Sequence, residues 1–344
     1  MSRPVGIIGA GSFGTAIAKI LANNSDVLLF SRHTEQINEL NSKHRIKSIE
    51  VPENIKGVSS LQTIASECQV IFPIVPSEQF RKMIKKLAPF INPAHFIIHG
   101  TKGLDTTDFD ASADTATNLT RSQVHTMSEV IKQETSALRI GCLSGPNLAK
   151  EILENKPTAT VIASRFQEVV AAGEKLLNSK NFHVFGTNDI LGAEFSGAFK
   201  NAIAIGSGIL GGLELGKNIQ SILITRGLRE MIFLSKAMGA DVKTFFGTAG
   251  IGDLVATTTS TDSRNYSFGL RIGRGEKREE IKQDTNELAE GVRTVRIMKL
   301  LADNYKLRLP IIQMIYTIIF ENFKPERAVK YLMKYPYGVD VDFM

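Results

Sequence analysis

Short runs of branched and aromatic residues alternate with longer stretches of helical period through the first half of the chain. The runs VGIIGA from Val5, VLLFS from Val27, QVIFPIV from Gln69, HFIIHG from His95, IGCLSG from Ile140 and TATVIAS from Thr158 predict strands, and FHVF from Phe182 a last one. Between them, TAIAKILANN, SEQFRKMIKKLAPF and RFQEVVAAGEKLLNS place apolar residues three and four apart, with Ser77 expected as the N-cap of the second. Strands alternating with helices predict an α/β fold, a doubly wound parallel sheet wrapped on both faces. From about Asn188 strand signals stop. LGAEFSGAFKNAIAIGSGIL, QSILITRGLREMIFLSKAMGA, TVRIMKLLADNY and PIIQMIYTIIFEN predict an all-α second half. Two domains are therefore expected, 1–188 and 189–344, as also suits a chain of 344 residues that is 43% hydrophobic and 22% charged. The polar segment from Asp105 to Thr135 gains helical character only at SEVIKQE and reads as an exposed excursion of the first domain.

Composition removes several function classes. The two cysteines, Cys68 and Cys142, lie inside apolar runs without paired or metal-like spacing, so a reducing, cytoplasmic setting and no metal site are expected. The start MSRPVGIIGAG enters a glycine turn at once, which argues against a secretory signal. The longest low-charge stretch, Asn201 to Leu213, is too short to span a bilayer, so membrane insertion is not expected. The net charge of +6 comes from basic residues spread along the chain and not interleaved with aromatics. That distribution argues against nucleic acid and for small phosphorylated ligands.

Gly9, Gly11 and Gly14 form GAGSFG directly after a β run and directly before a helical pattern. In that context the first glycine permits a tight turn, the second lets backbone approach a pyrophosphate and the third lets helix and strand pack closely. The structural alternative is a β-to-α turn that binds nothing. After the second strand, where a carboxylate would hold an adenosine ribose, the residues are Ser31, Arg32 and His33. A guanidinium there suits the 2′-phosphate of NADP; a solvated loop arginine would leave NAD equally acceptable.

Lys200 and Asn201 sit in EFSGAFKNAIAIGSG, a helix otherwise made of small and apolar residues. Desolvation there would disfavour the ammonium and suit a base working near neutrality, whereas a snorkelling lysine would reach solvent. Downstream, AGIGDLVATTTSTDSRNYSFG offers Asp253, a hydroxyl-rich loop, then Ser263, Arg264 and Asn265, either a helix cap or an anion site. Two further runs, HGTKGL with Lys102 and SGPNLAKE with Gly145 and Asn147, fall at the carboxyl ends of strands, where open α/β sheets bind ligands.

Taken in order, IGAGSFGTA, VPS, TKGL, SGPNLAKE, KNAIAIGSG, AGIGDLVAT, SRN and LAEG resemble the bacterial glycerol-3-phosphate dehydrogenases over nearly the whole chain. The resemblance implies an N-terminal Rossmann-type domain for NAD or NADP, followed by an all-α domain that binds substrate. It implies proton transfer by Lys200 and cofactor contacts from Gly9, Gly11, Ser12, Phe13, Gly14, Arg32, His33, Lys102, Ala149, Arg264, Leu288 and Glu290. Substrate contacts are implied for Lys102, Gly145, Asn147, Lys200, Asp253, Ser263, Arg264 and Asn265. The chain departs from the family at Asn147, where a hydroxyl residue is common, at Leu288, where valine is usual, and in the length of the polar excursion.

The implied activity is interconversion of sn-glycerol 3-phosphate and dihydroxyacetone phosphate, which supplies phospholipid synthesis. The rivals are a β-hydroxyacid dehydrogenase of similar plan and a nucleotide-sensing protein without chemistry. The first normally has an asparagine one helical turn after its lysine, whereas Asn201 is adjacent to Lys200; the second is disfavoured by retention of Lys200, Asp253 and Arg264. The long apolar helices are compatible with a homodimer and equally with a buried core.

Overall fold

A computed structural model describes residues 3–106, 119–285 and 289–334. Leu288 and residues 107–118 of the polar excursion lie outside the described residues. The chain forms two compact units, Met1–Asp105 with His125–Glu194, and Thr106–Val124 with Phe195–Met344.

The first unit is an eight-stranded sheet built from β1 (Val5–Ile8), β2 (Val27–Phe30), β3 (Ile55–Val58), β4 (Val70–Pro73), β5 (Phe96–His99), β6 (Arg139–Ser144), β7 (Thr158–Ala163) and β8 (Phe182–Thr187). Their spatial order is β8-β7-β6-β5-β4-β1-β2-β3. Successive side chains leave a strand on opposite faces, and the burial follows. Ile7, Leu29, Phe72 and Ile98 join one core, with residues of α1 (Ser12–Leu21) and α7 (Gln167–Leu177). Their neighbours Ile8, Leu28, Ile71 and Ile97 join another, with α3 (Leu61–Glu67), α4 (Ser77–Leu87) and α5 (Met127–Glu134). The sheet is doubly wound because every central strand is apolar on both faces.

Three details differ from the sequence reading. Strand β3, IKGV, gave no strand signal because it carries Lys56 and Gly57; the glycine is there because a Cβ would stand 3.1 Å from Ile37 and Leu40 of α2 (Thr34–Lys43). Strands β1 to β6 are parallel, but β7 returns antiparallel to β6, Leu143 opposite Ile162, and β8 runs parallel to β7. The segment between β6 and β7 holds only the five-residue α6 (Ala149–Leu153), too little for a crossover that would restore the parallel direction. Ser77 is the first helical residue of α4, not its cap; extended Pro76 takes the N-cap place.

The second unit contains α8 (Ile190–Gly212) from Phe195 onward, α9 (Lys217–Ala237), α10 (Asp253–Thr259), α11 (Arg264–Gly273), α12 (Arg278–Thr285), α13 (Glu290–Asn304), α14 (Pro310–Phe320) and α15 (Pro325–Lys334). The glycines of α8 serve contact: a Cβ on Gly208 would lie 2.1 Å from the Tyr266 carbonyl, and one on Gly212 2.3 Å from that of Leu270, so α8 and α11 meet backbone to backbone. A buried carboxyl, Glu230 of α9, accepts the Ile311 and Ile312 N–H groups (2.7 and 2.9 Å) at the start of α14. Burial pushes that carboxyl up to about 8, while the two N–H groups and Arg229 pull the other way. Among the described residues no helix is long and apolar enough to cross a membrane.

Candidate active site

The turn between β1 and α1 distinguishes what the fold requires from what it leaves open. Gly9 has φ +124, and a Cβ there would stand 2.2 Å from the Ile74 carbonyl. On Gly14 it would stand 1.9 Å from the Gly9 carbonyl. Gly11 is different, since a Cβ there meets nothing within 4 Å. Gly11 is also the N-cap of α1 and provides no side-chain cap, so the first N–H groups of the helix, those of Ser12, Phe13 and Gly14, are left for an anion. A side chain at Gly11 would fill this cradle, and the cradle fits a dinucleotide pyrophosphate.

At the end of β2 the buried Ser31 hydroxyl donates to Gln36 Oε1 (2.8 Å) and accepts the His33 N–H (3.1 Å), fixing the turn. Arg32 and His33 stand exposed on it, with Arg32 Nε 3.3 Å from His33 Nε2. The nearest acid along the chain, Glu35, comes in the first turn of α2.

The ends of β5 and β6 bring two predicted groups together. Thr101 Oγ1 donates to the Val75 carbonyl (2.7 Å), and the Lys102 amine donates to the Gly145 carbonyl (2.6 Å). Gly145 has φ +112, a conformation open to glycine. The Asn147 amide donates to Thr160 Oγ1 (2.9 Å) and the Ser144 carbonyl (3.3 Å), while its Oδ1 is buried without a hydrogen-bond partner. The amide at this position therefore keeps a spare acceptor, as a hydroxyl would. Ala149 opens α6 and packs on the core.

In the second unit, Lys200 is 5% exposed on α8. Its amine donates to Thr257 Oγ1 (2.6 Å) and lies 3.3 Å from Asp253 Oδ1. The amine does not snorkel to solvent, and the burial argument alone omits its paired carboxylate. Sequence reading missed Thr257, because ATTT looks like a loop. The segment is instead α10, which puts Asp253 and Thr257 one turn apart on one face, where Thr257 Oγ1 also donates to the Asp253 carbonyl (2.7 Å). The i, i+4 spacing was the available signal.

Ser263 caps α11, accepting the Tyr266 N–H at 3.3 Å; Arg264 follows it, exposed, as the first helical residue. Asn265 Oδ1 accepts the Gly291 N–H (2.8 Å) beside Glu290, and a Cβ on Gly291 would stand 2.6 Å from the Asn201 carbonyl. The start of α13 is thus drawn against α8 next to Lys200. Among the described residues no three His, Cys, Asp or Glu side chains form a group that could hold a metal. The cysteines are buried and free; burial, with Glu67 adding, pushes the Cys68 thiol up to about 12, which removes it from nucleophilic chemistry.

Comparison with known proteins gives a consistent result. Residues 4–170 match the model of the NAD-dependent glycerol-3-phosphate dehydrogenase N-terminus, and residues 189–330 that of its C-terminus. A glycerol-3-phosphate dehydrogenase (NAD(P)+) of Pseudomonas paraeruginosa is 34% identical over 99% of this chain and 97% of its own length. One of Exiguobacterium sp. is 36% identical over 96% and 95%. The crystal structure of glycerol-3-phosphate dehydrogenase from Coxiella burnetii superposes with a TM-score of 0.85 at 32% identity, covering 97% of this chain and 99% of that one.

Proposed function

Because the chain belongs to the NAD-dependent glycerol-3-phosphate dehydrogenase family, we propose that it interconverts sn-glycerol 3-phosphate and dihydroxyacetone phosphate with NADH or NADPH, in support of phospholipid synthesis. The observation that carries the chemistry is the Lys200 amine, enclosed and held by Thr257 and Asp253. When bound, the nicotinamide supplies the acceptor for hydride from C2, and the donor in reverse. Lys200 takes the proton of the C2 hydroxyl and returns it to the ketone oxygen in the other direction. Asp253 and Thr257 restrict the amine to one approach. Arg264, with Ser263 and Asn265, grips the phosphate, and Lys102, Gly145 and Asn147 supply the remaining polar contacts. Gly9, Gly11 and Gly14 with the Ser12 and Phe13 amides cradle the pyrophosphate, Arg32 and His33 meet the adenosine end, and Ala149 and Glu290 line the rest of the cofactor site. In this reading residues 1–188 serve the cofactor and 189–344 the substrate.

The deciding assay follows oxidation of NADPH and NADH with dihydroxyacetone phosphate and, in parallel, with simple keto acids. Turnover confined to the triose phosphate and lost in Lys200→Met, with cofactor binding kept, supports the proposal. Preference for a keto acid transfers it to the β-hydroxyacid dehydrogenases, and wild-type-like turnover of the variant removes Lys200 from the reaction. A homodimer in the cytoplasm completes the proposal; a monomer mass by light scattering would remove the first part.

A further inference from the structure

A buried acid with no part in the chemistry above sits at the root of α8. Glu194 is 6% exposed. Its Oε1 accepts the Ser128 N–H (2.8 Å) and lies 2.9 Å from His99 Nε2, and its Oε2 accepts the Ser128 hydroxyl (2.6 Å). Burial alone would raise its pKa, but the His99 hydrogen bond and charge and the two Ser128 bonds outweigh burial and hold the carboxyl below its usual range. With Glu194 ionised, only a proton on His99 Nε2 can make that bond. Ser128 lies in the first turn of α5, whose cap Thr126 forms a reciprocal box with Glu129, so Glu194 meets the positive end of a fixed helix. The His99 ring is itself 1% exposed and meets Phe80 edge to face at 5.8 Å. A second tie runs beside it, from Ser144 Oγ to the Ala193 carbonyl (3.2 Å).

The first turn of α8 is therefore fastened to the last residue of β5, the last residue of β6 and the first turn of α5. Lys102 follows His99 along the chain, and Gly145 follows Ser144 directly. The helix runs unbroken from Ile190 to Gly212, and Lys200 lies beyond Glu194 by about 9 Å of axial rise at 1.5 Å per residue. A hydrogen-bonded helix transmits rotation at its root along its length. An apolar residue in place of Glu194 would hold α8 by contact without fixing its rotation, and would avoid burying a charge. Directional bonds are what the carboxylate adds.

We propose that Glu194, held by His99 and Ser128, is a positioning residue: it fixes the rotation and axial register of α8 at its root, and α8 is the helix that carries the Lys200 amine. This rests on the reading of Lys200 as the proton-transfer group.

The test uses Ser128→Ala and Glu194→Gln in the full chain. Turnover of dihydroxyacetone phosphate is measured per cofactor-binding site, counted by NADPH titration, together with the isotope effect of 4-deuterated NADPH and hydrogen exchange of the ligand-free protein. In both folded variants kcat per site falls, by about 10- to 100-fold in Glu194→Gln. KM and cofactor affinity stay within about threefold, the isotope effect rises, and amides from 190 to 202 exchange faster. Unchanged kcat per site in both folded variants, or exchange at 190–202 unchanged in Ser128→Ala, overturns the proposal. Should Glu194→Gln not fold, Ser128→Ala decides alone. A parent chain without triose phosphate turnover defeats the functional reading, whereas the exchange result judges the anchor by itself.

Discussion

Removing both partners of the Lys200–Asp253 pair should destabilise the protein by less than the sum of the two single removals. The two charges stand 3.3 Å apart on residues 5% and 2% exposed. At an effective dielectric constant of about 20 that separation corresponds to roughly 5 kcal/mol of attraction, before the expense of desolvating the ions. Lys200→Met leaves the Asp253 carboxylate with the Thr257 hydroxyl at 3.3 Å, and Asp253→Leu leaves the ammonium with the same hydroxyl at 2.6 Å. Each single change removes one partner of a buried ion pair and should cost about 3–5 kcal/mol. The double variant removes both charges together, so its loss should fall short of the sum by about 3 kcal/mol. The chain has no tryptophan, so urea unfolding is best followed by far-ultraviolet circular dichroism, which the helices of the second unit dominate. Single losses that add to within about 0.5 kcal/mol would mean that the two charges are not coupled.

Gly11→Val should keep stability within about 0.5 kcal/mol, since the new side chain meets no protein atom nearby, yet weaken NADPH binding by about tenfold or more. Undiminished binding by fluorescence titration would remove the turn from the cofactor site. Arg32→Glu should weaken NADPH far more than NADH, and equal losses would put the reading of the 2′-phosphate elsewhere. Glu230 titrates at about 8 in the folded chain against an ordinary value of 4.5, so the folded state binds the extra proton between these limits. Its contribution is full below pH 4.5 and is lost as pH rises through 8; stability should decline over that window, and the slope should shrink in Glu230→Gln.

Much of the fold was legible because its determinants are local. Seven of the sheet strands announce themselves as apolar runs, and the helices of the second half by their period. What escaped depends on partners distant along the chain. Strand β3 is recognisable only once Gly57 is seen under Ile37 and Leu40. The reversal of β7 follows from the shortness of α6, which SGPNLAKE does not reveal. Arg121 lies 5.5 Å over the Phe195 ring and Arg293 donates to Thr106 Oγ1 (2.6 Å), contacts that no local pattern announces. The proposed site rests on residues that break local rules, such as a lysine among alanines and glycines. Thr257 breaks no rule, and neither does His99 in an apolar strand, because their partners, Lys200 and Glu194, are distant along the chain.

The burial pattern also separates two kinds of enclosed charge that sequence cannot. Glu194 and Glu230 are buried acids in helices of apolar surroundings, yet one is held ionised by His99 and Ser128 and the other is driven toward its neutral form. The difference lies in the donors: a histidine and a hydroxyl add to one N–H group at Glu194, whereas Glu230 has two N–H groups and a more distant arginine. At Lys200 the close groups are a carboxylate and a hydroxyl, on Asp253 and Thr257. An amine so held keeps its direction in the absence of substrate, so in the proposed reaction the proton-transfer group does not have to be ordered as the reaction begins.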